Sequence, residues 1–211
     1  MAAKRDNIDF RLYAVTDRKV LKGIKLEEAV EQAILGGATI VQVREKEVST
    51  LEYINIATKV KAVTDKFNIP LVVNDRVDVA LAVDADGVHV GEDDMPVKIA
   101  RALLGSNKII GVSFPDIARC YQAYLDGADY LGVGAVYGTT TKPDAGEGIG
   151  LKVLADIKQQ VPLPVVAIGG IGHHNAKEAL ETGVDGIAVI SSLFSGGNIR
   201  ENAERLKDLL A

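Results

Sequence analysis

Three short stretches carry polar and charged side chains spaced to handle a phosphorylated anion. In Val41-Gln42-Val43-Arg44-Glu45-Lys46, the residues Gln42, Arg44 and Lys46 fall at every second position. An extended chain puts Gln42 and Arg44 on one face, with Lys46 just beyond. A guanidinium fork and an ammonium point charge beside an amide form an anion clamp. A solvated strand end has the same composition, because surface charges are common. Asn74-Asp75-Arg76 and His89-Val90-Gly91-Glu92-Asp93-Asp94 come next. Asp75 and Asp94 on neighbouring loops suit Mg2+, which takes one or two protein oxygens and fills its shell with water and phosphate oxygens. Each also lies near a helix start, where Asp is a preferred cap. His89 reads equally as a hydrogen-bonded core histidine or a catalytic one.

The later chain adds a second anion zone. Ser113 closes the run at 109–113. Thr139, Thr141 and Lys142 stand in the longest irregular segment, 138–148, a donor-rich stretch able to close over an anion. Ile168-Gly169-Gly170-Ile171-Gly172 and Val189-Ile190-Ser191-Ser192 each end an apolar run. A glycine such as Gly170 lets a phosphate approach the backbone closely. His173 and His174 read as loop or capping residues. The spacing of Gly132, Gly134 and Gly138 does not fit a dinucleotide fingerprint.

The elements that must position these residues repeat with one rhythm: an apolar run, a loop, then a stretch of helical period. The runs lie at 12–16, 40–44, 70–74, 87–90, 109–113, 130–134, 165–168 and 186–190. The helical stretches between and after them lie at 26–35, 51–67, 77–83, 97–104, 117–125, 151–159, 176–181 and 202–210. The runs are rich in Val and Ile with little alternation, as in strands buried on both faces of a parallel sheet. Glycines at Gly36-Gly37, Gly87, Gly127 and Gly186 close helices before the chain re-enters a strand. A doubly wound sheet of eight strands would need a reversal with a long crossover, and none is visible. The pattern therefore predicts an α/β fold, a single (β/α)8 TIM barrel occupying residues 1–211 as one domain. Its site is expected in the loops after the strands, with a phosphate held between the last two.

Composition sets the remaining bounds. A net charge of -5 argues against a nucleic-acid partner, although a local cationic cluster can still bind an anionic small molecule. The single cysteine, Cys120, excludes an internal disulfide and a cysteine-cluster zinc site. The polar start lacks a signal-peptide pattern, and no apolar stretch is long enough to span a membrane, so a cytoplasmic location is expected. Nothing in the sequence specifies an oligomeric state.

Taken in order, these motifs resemble those of the thiamine-phosphate synthase family across essentially the whole chain. The resemblance rests on Tyr13-Ala14-Val15-Thr16-Asp17, the Gln42 to Lys46 stretch, Val73-Asn74-Asp75, Gly87-Val88-His89-Val90-Gly91, Asp93-Asp94, Thr139-Thr140-Thr141-Lys142 and Ala167-Ile168-Gly169-Gly170-Ile171. It implies coupling of a hydroxymethylpyrimidine diphosphate with a thiazole phosphate, giving thiamine phosphate and pyrophosphate. It further implies Mg2+ on Asp75 and Asp94, the diphosphate on Arg44, Lys46, Asn74 and Lys142, and the pyrimidine facing Gln42. Ser113 matches a serine near the reacting methylene. Thr139 and Thr141, with the backbone at Gly170, Ile190 and Ser191, match the thiazole-phosphate site. The implied chemistry is dissociative, with the diphosphate leaving before the thiazole nitrogen attacks. One departure stands out: family members often follow the serine with a small residue and a histidine, where this chain has Phe114-Pro115. A related thiazole tautomerase would leave Asp75, Asp94, Lys46 and Lys142 without a role. A non-catalytic binder of thiamine phosphate would not need the paired aspartates.

Overall fold

In a computed structural model, which describes residues 8–114, 116–138 and 148–210, eight parallel strands close into a barrel in chain order. The strands are β1 (Leu12–Val15), β2 (Ile40–Val43), β3 (Leu71–Asn74), β4 (Gly87–Val90), β5 (Ile109–Val112), β6 (Tyr130–Val133), β7 (Val165–Ile168) and β8 (Gly186–Val189). Closure is direct: Leu12 of β1 registers with Ile187 of β8, as Tyr13 does with Ile40 of β2. Between and after the strands lie helices α1 (Leu26–Leu35), α2 (Thr50–Lys66), α3 (Val77–Ala82), α4 (Val97–Leu104), α5 (Ile117–Leu125), α6 (Gly150–Gln160), α7 (Ala176–Leu180), α8 (Ser191–Phe194) and α9 (Ile199–Asp208). The expected barrel is what forms. One element departs from expectation: after β8 the chain first makes the short α8, and the last helix begins at Ile199 rather than 202.

The pleat of the strands divides the core in two. Leu12 and Ala14 point outward into the shell beneath the helices, while Tyr13 and Val15 join Ile40, Val72, Ile109, Tyr130 and Val166 inside the barrel. The interior is thus a packed layer rather than a channel. Tyr130 and Tyr13 are among its largest members, and the Tyr130 ring centroid lies 4.7 Å from that of Phe10, tilted by 39°. Room for that ring comes from Gly111, where a Cβ would lie 2.1 Å from the Tyr130 ring.

The lower end of the barrel repeats one device. The residue just before each even-numbered strand accepts a hydrogen bond from an N–H at the start of the strand before it, from the first residue in β1, β3 and β7 and from the second in β5. Thr39 Oγ1 takes Leu12 N (3.2 Å), Asp86 Oδ2 takes Leu71 N (2.8 Å), Asp129 Oδ2 takes Ile110 N (2.7 Å) and Asp185 Oδ2 takes Val165 N (2.7 Å). Two of the aspartates also hold a cation closely, Arg101 on Asp129 at 2.5 Å and Lys158 on Asp185 at 2.6 Å. The acidic residues before Gly87 and Gly186 are therefore strand anchors, beyond the helix-closing role expected of those pairs.

Candidate active site

At the opposite end, the carboxyl ends of the strands surround a cavity of about 370 Å³. Gln42, Arg44, Lys46, Asn74, Asp75, Asp94 and Ser113 all line it, so residues that are far apart in sequence share one mouth. Each is delivered by the end of its strand or the loop after it. Gln42 lies inside β2 and is almost fully buried, whereas Arg44 and Lys46 continue the same face above it. The backbone N–H of Arg44 donates to Thr16 Oγ1 (3.1 Å), and its guanidinium lies 3.9 Å from Asp17. Arg44 is thereby tied to the end of β1 and its side chain is largely shielded from solvent.

The aspartates do not cap helices. Helix α3 has Arg76 at its N-cap and α4 has Pro96, neither with a side-chain capping bond. Instead Asp75 Oδ2 takes the Lys46 ammonium at 2.5 Å, and Asp94 Oδ2 accepts from Gly91 N at 2.7 Å. Asp75 adopts φ 64, a left-handed conformation uncommon outside glycine, held by its N–H donating 2.8 Å to the His89 carbonyl. Such strain persists only where surrounding structure enforces it. Burial pushes the Asp94 carboxyl above its usual range; the Gly91 N–H works against this, and the neighbouring Asp75 adds to it. Two carboxylates crowded so that one resists ionising mark a place where a cation would relieve repulsion. Beside them Asn74 is buried, and its side-chain Nδ2 finds no hydrogen-bond partner. An orphaned donor aimed at this mouth is what an anionic ligand would satisfy.

Ser113 and His89 are joined deeper in the cavity. His89 Nε2 lies 2.8 Å from Ser113 Oγ, and Ser113 Oγ donates to the Gly132 carbonyl at 2.9 Å. His89 Nδ1 is 2.9 Å from the Tyr130 hydroxyl, which is 2.7 Å from that of Tyr13. Gln42 Nε2 donates to Tyr13 at 3.0 Å. His89 is therefore both hydrogen-bonded and at the site. Sequence reasoning gave no role to Tyr13 or Tyr130. The available signal was a large polar ring at an inward strand position, with Gly111 one strand away to make room for it.

Across the barrel, Gly170 adopts φ 69, and a Cβ there would lie 2.8 Å from Tyr137 Cβ and 2.9 Å from the Gly138 carbonyl. No larger residue fits this turn. Asn175, another residue the sequence did not flag, ties the loop together: Oδ1 accepts from Gly172 N (2.8 Å) and Nδ2 donates to the Gly170 carbonyl (3.0 Å). Ile190 precedes α8 and Ser191 begins it, and Ser192 Oγ donates to the Ile171 carbonyl at 2.9 Å. The loops after β7 and β8 are thus bonded to each other beside the cavity. His173 and His174 follow in the β7 loop. Burial, then the charges of Arg205 and His174, lower the pKa of His173. Thr139, Thr141 and Lys142 lie outside the described residues, as does Pro115; Phe114 packs against the outer core.

A closed barrel whose strand ends gather cations, paired carboxylates and glycine loops defines a phosphate-handling barrel enzyme. Comparison with known proteins narrows this. The thiamine monophosphate synthase family matches residues 12–193, and the chain belongs to it. It is 52% identical over 204 residues to the thiamine-phosphate synthase of Clostridium acetobutylicum, covering 97% of this chain and 96% of that protein. It is 53% identical over 200 residues to that of Alkaliphilus oremlandii, covering 95% of each. The solved structure of a Pyrococcus furiosus thiamine phosphate pyrophosphorylase superposes with a TM-score of 0.88 at 43% identity, covering 96% of each chain. A 3-hexulose-6-phosphate synthase at 17% identity and TM-score 0.67 shares the fold alone.

Proposed function

We propose that this protein joins a hydroxymethylpyrimidine diphosphate to a thiazole phosphate, releasing pyrophosphate and forming thiamine phosphate. Family membership and full-length likeness to synthases support the coupling. The observation that carries the site assignment is the convergence of Arg44, Lys46 and the orphaned Asn74 amide with Asp75 and Asp94 in one cavity. Arg44, Lys46 and Asn74 bind the diphosphate, and Lys142 joins them on the strength of the family motif alone. Gln42 and Ser113 face the pyrimidine. Thr139 and Thr141, again by motif, and the backbone at Gly170, Ile190 and Ser191 hold the thiazole phosphate.

Mg2+ fits the donor set. Among the described residues no cluster of three or more potential metal ligands forms, so Asp75 and Asp94 would hold the ion while water and phosphate oxygens complete its shell. When bound, the metal supplies charge stabilisation for the leaving diphosphate. Lys46 answers the Asp75 charge, leaving the crowded Asp94 as the carboxylate most in need of a cation.

The remaining chemistry falls to the chain. The bond from the pyrimidine methylene to the diphosphate oxygen breaks with its electron pair going to oxygen. Arg44 and Lys46 stabilise that developing charge at fixed positions, an electrostatic effect worth several kcal/mol. Val15, Val166 and Ile168 line the same cavity, exclude water and strengthen those interactions. The ring's amino group stabilises the methylene cation until the thiazole nitrogen donates its pair. No general base is required for bond formation. We assign the reaction to the cytoplasm as part of this proposal. Separately, no described helix is long and apolar enough to cross a membrane.

The test is a coupling assay with both phosphorylated substrates, run with Mg2+ and again with EDTA, reading thiamine phosphate by chromatography. Product that requires the metal is expected. Product at an equal rate in EDTA would remove the metal role from Asp75 and Asp94, and no product in either condition would overturn the reaction.

A further inference from the structure

The hydrogen bonds inside the barrel form a chain that takes its direction from its Ser113 end. Ser113 Oγ carries one proton and lies 2.9 Å from the Gly132 carbonyl, which can only accept. Its contact with His89 Nε2 at 2.8 Å is then satisfied only if the imidazole donates. A neutral imidazole protonated at Nε2 has an acceptor at Nδ1, so the Tyr130 hydroxyl at 2.9 Å donates to it. Tyr130 must in turn accept from Tyr13, and Tyr13 from the Gln42 amide nitrogen. Both phenols are fully buried, which pushes their ionisation well above neutral pH and keeps them as donors. The barrel is shaped around this chain. A Cβ at Gly132 would lie 2.9 Å from the His89 ring and 3.1 Å from Ser113 Oγ, and one at Gly111 would overlap Tyr130.

We propose that Tyr13, Tyr130 and His89 are positioning residues that fix Ser113 as a hydrogen-bond acceptor toward the substrate, so that the pocket selects an aminopyrimidine over its oxo counterpart. This rests on the reading of the cavity as the pyrimidine site. With its proton on Gly132 and one lone pair taken by His89, Ser113 Oγ has only a lone pair left to offer a ligand. An exocyclic amino group can donate to it; a ring carbonyl at that place cannot. Gln42 is oriented by the same chain, its nitrogen turned to Tyr13 and its carbonyl oxygen left as a second acceptor. A polar site of this kind rejects the mismatched analogue because its own buried groups go unpaired.

Two measurements test this, one of them independent of turnover. The chain has three histidines, so 15N-histidine labelling resolves His89 against His173 and His174. His89 is expected as the Nε2–H tautomer near pH 8, shifting in Tyr130→Phe; an Nδ1–H tautomer in the unaltered protein would overturn the chain. The second is kcat/KM for the 4-amino and 4-oxo pyrimidine diphosphates, each with thiazole phosphate. Tyr130→Phe breaks the chain by one hydroxyl and is expected to lower the amino-to-oxo ratio by at least about tenfold. A purely structural role would slow both substrates alike, and an unchanged ratio in the folded variant overturns the proposal. If Tyr130→Phe does not fold, His89→Phe removes the donor to Ser113 and should lower the same ratio. An unaltered protein that does not couple the amino substrate overturns the reaction reading, while the histidine tautomer still decides the chain.

Discussion

The two ends of the barrel use the same residue type in opposite ways. At the lower end Asp86, Asp129 and Asp185 each accept an N–H from the start of a strand, and Asp129 and Asp185 hold Arg101 and Lys158 as well. At the mouth Asp75 stands on strained backbone and Asp94 is crowded by it, while the Asn74 amide beside them has no partner. A buried polar group costs stability unless it is bonded, so the satisfied aspartates hold the barrel closed. At the mouth Asp75 holds Lys46 and Asp94 the Gly91 N–H, yet the Asn74 donor stays unbonded and Asp94 resists ionising. The difference separates stability from function along one axis of one fold.

The sharpest way to break that contrast is Asp94→Ala. Turnover should fall by at least about a hundredfold, because charge stabilisation of the leaving group is lost. Thiazole-phosphate binding should change little. Equal loss of both by titration calorimetry would deny Asp94 its place at the diphosphate.

Next in size is the lower end. Asp129→Ala strips a partner from Arg101 and from the Ile110 N–H of β5, and breaking a buried pair of this kind costs about 3–5 kcal/mol. For a chain of this size that is a melting point lower by roughly 10 °C, with kcat per folded molecule unchanged. A variant that melts like the parent would show that the lower device is ornamental to stability.

A smaller effect runs against intuition. Because burial and Asp75 raise the Asp94 pKa, the folded protein carries an unfavourable charge there at neutral pH. A raised carboxyl contributes most to stability below its unfolded pKa and loses that contribution as pH rises through the folded value. Asp94→Asn in EDTA should therefore melt slightly higher than the parent at pH 7, by no more than about 1 kcal/mol given solvent screening at this half-buried group. The gain should vanish as the pH falls through the carboxylate range. A neutral-pH loss of stability would place Asp94 with the structural aspartates.

The smallest expected signal comes from the shell between the two ends. Burial, with Asp116 adding to it, pushes the Cys120 thiol up to about 11, leaving about a thousandth as thiolate at pH 8. A thiol reagent should find nothing in the native protein and one reactive cysteine after unfolding. Prompt native labelling would mean that α5 opens far more readily than the lower-end bonds suggest.

Much of this was legible in the chain itself. Eight apolar runs separated by helical stretches specify the barrel, because strand burial and helical amphipathicity leave periodic traces in one dimension. The alternation of Gln42 and Arg44, with Lys46 just beyond, likewise offered an anion clamp on one face, but only the folded cavity set it apart from a solvated strand end. The capping alternative for Asp75 and Asp94 could not be dismissed that way. It fell only when Arg76 and Pro96 proved to occupy the N-caps. Local spacing therefore determined the fold and supplied the candidate anion groups, and the general barrel rule supplied the end at which to expect a site. Tertiary structure alone decided that Tyr13 and Tyr130, 117 positions apart, share a hydrogen bond. It also decided that Asp86, Asp129 and Asp185 tie strands rather than merely follow helices. The first contact depends on closing the sheet and the others on the register between neighbouring strands, and no local period encodes either.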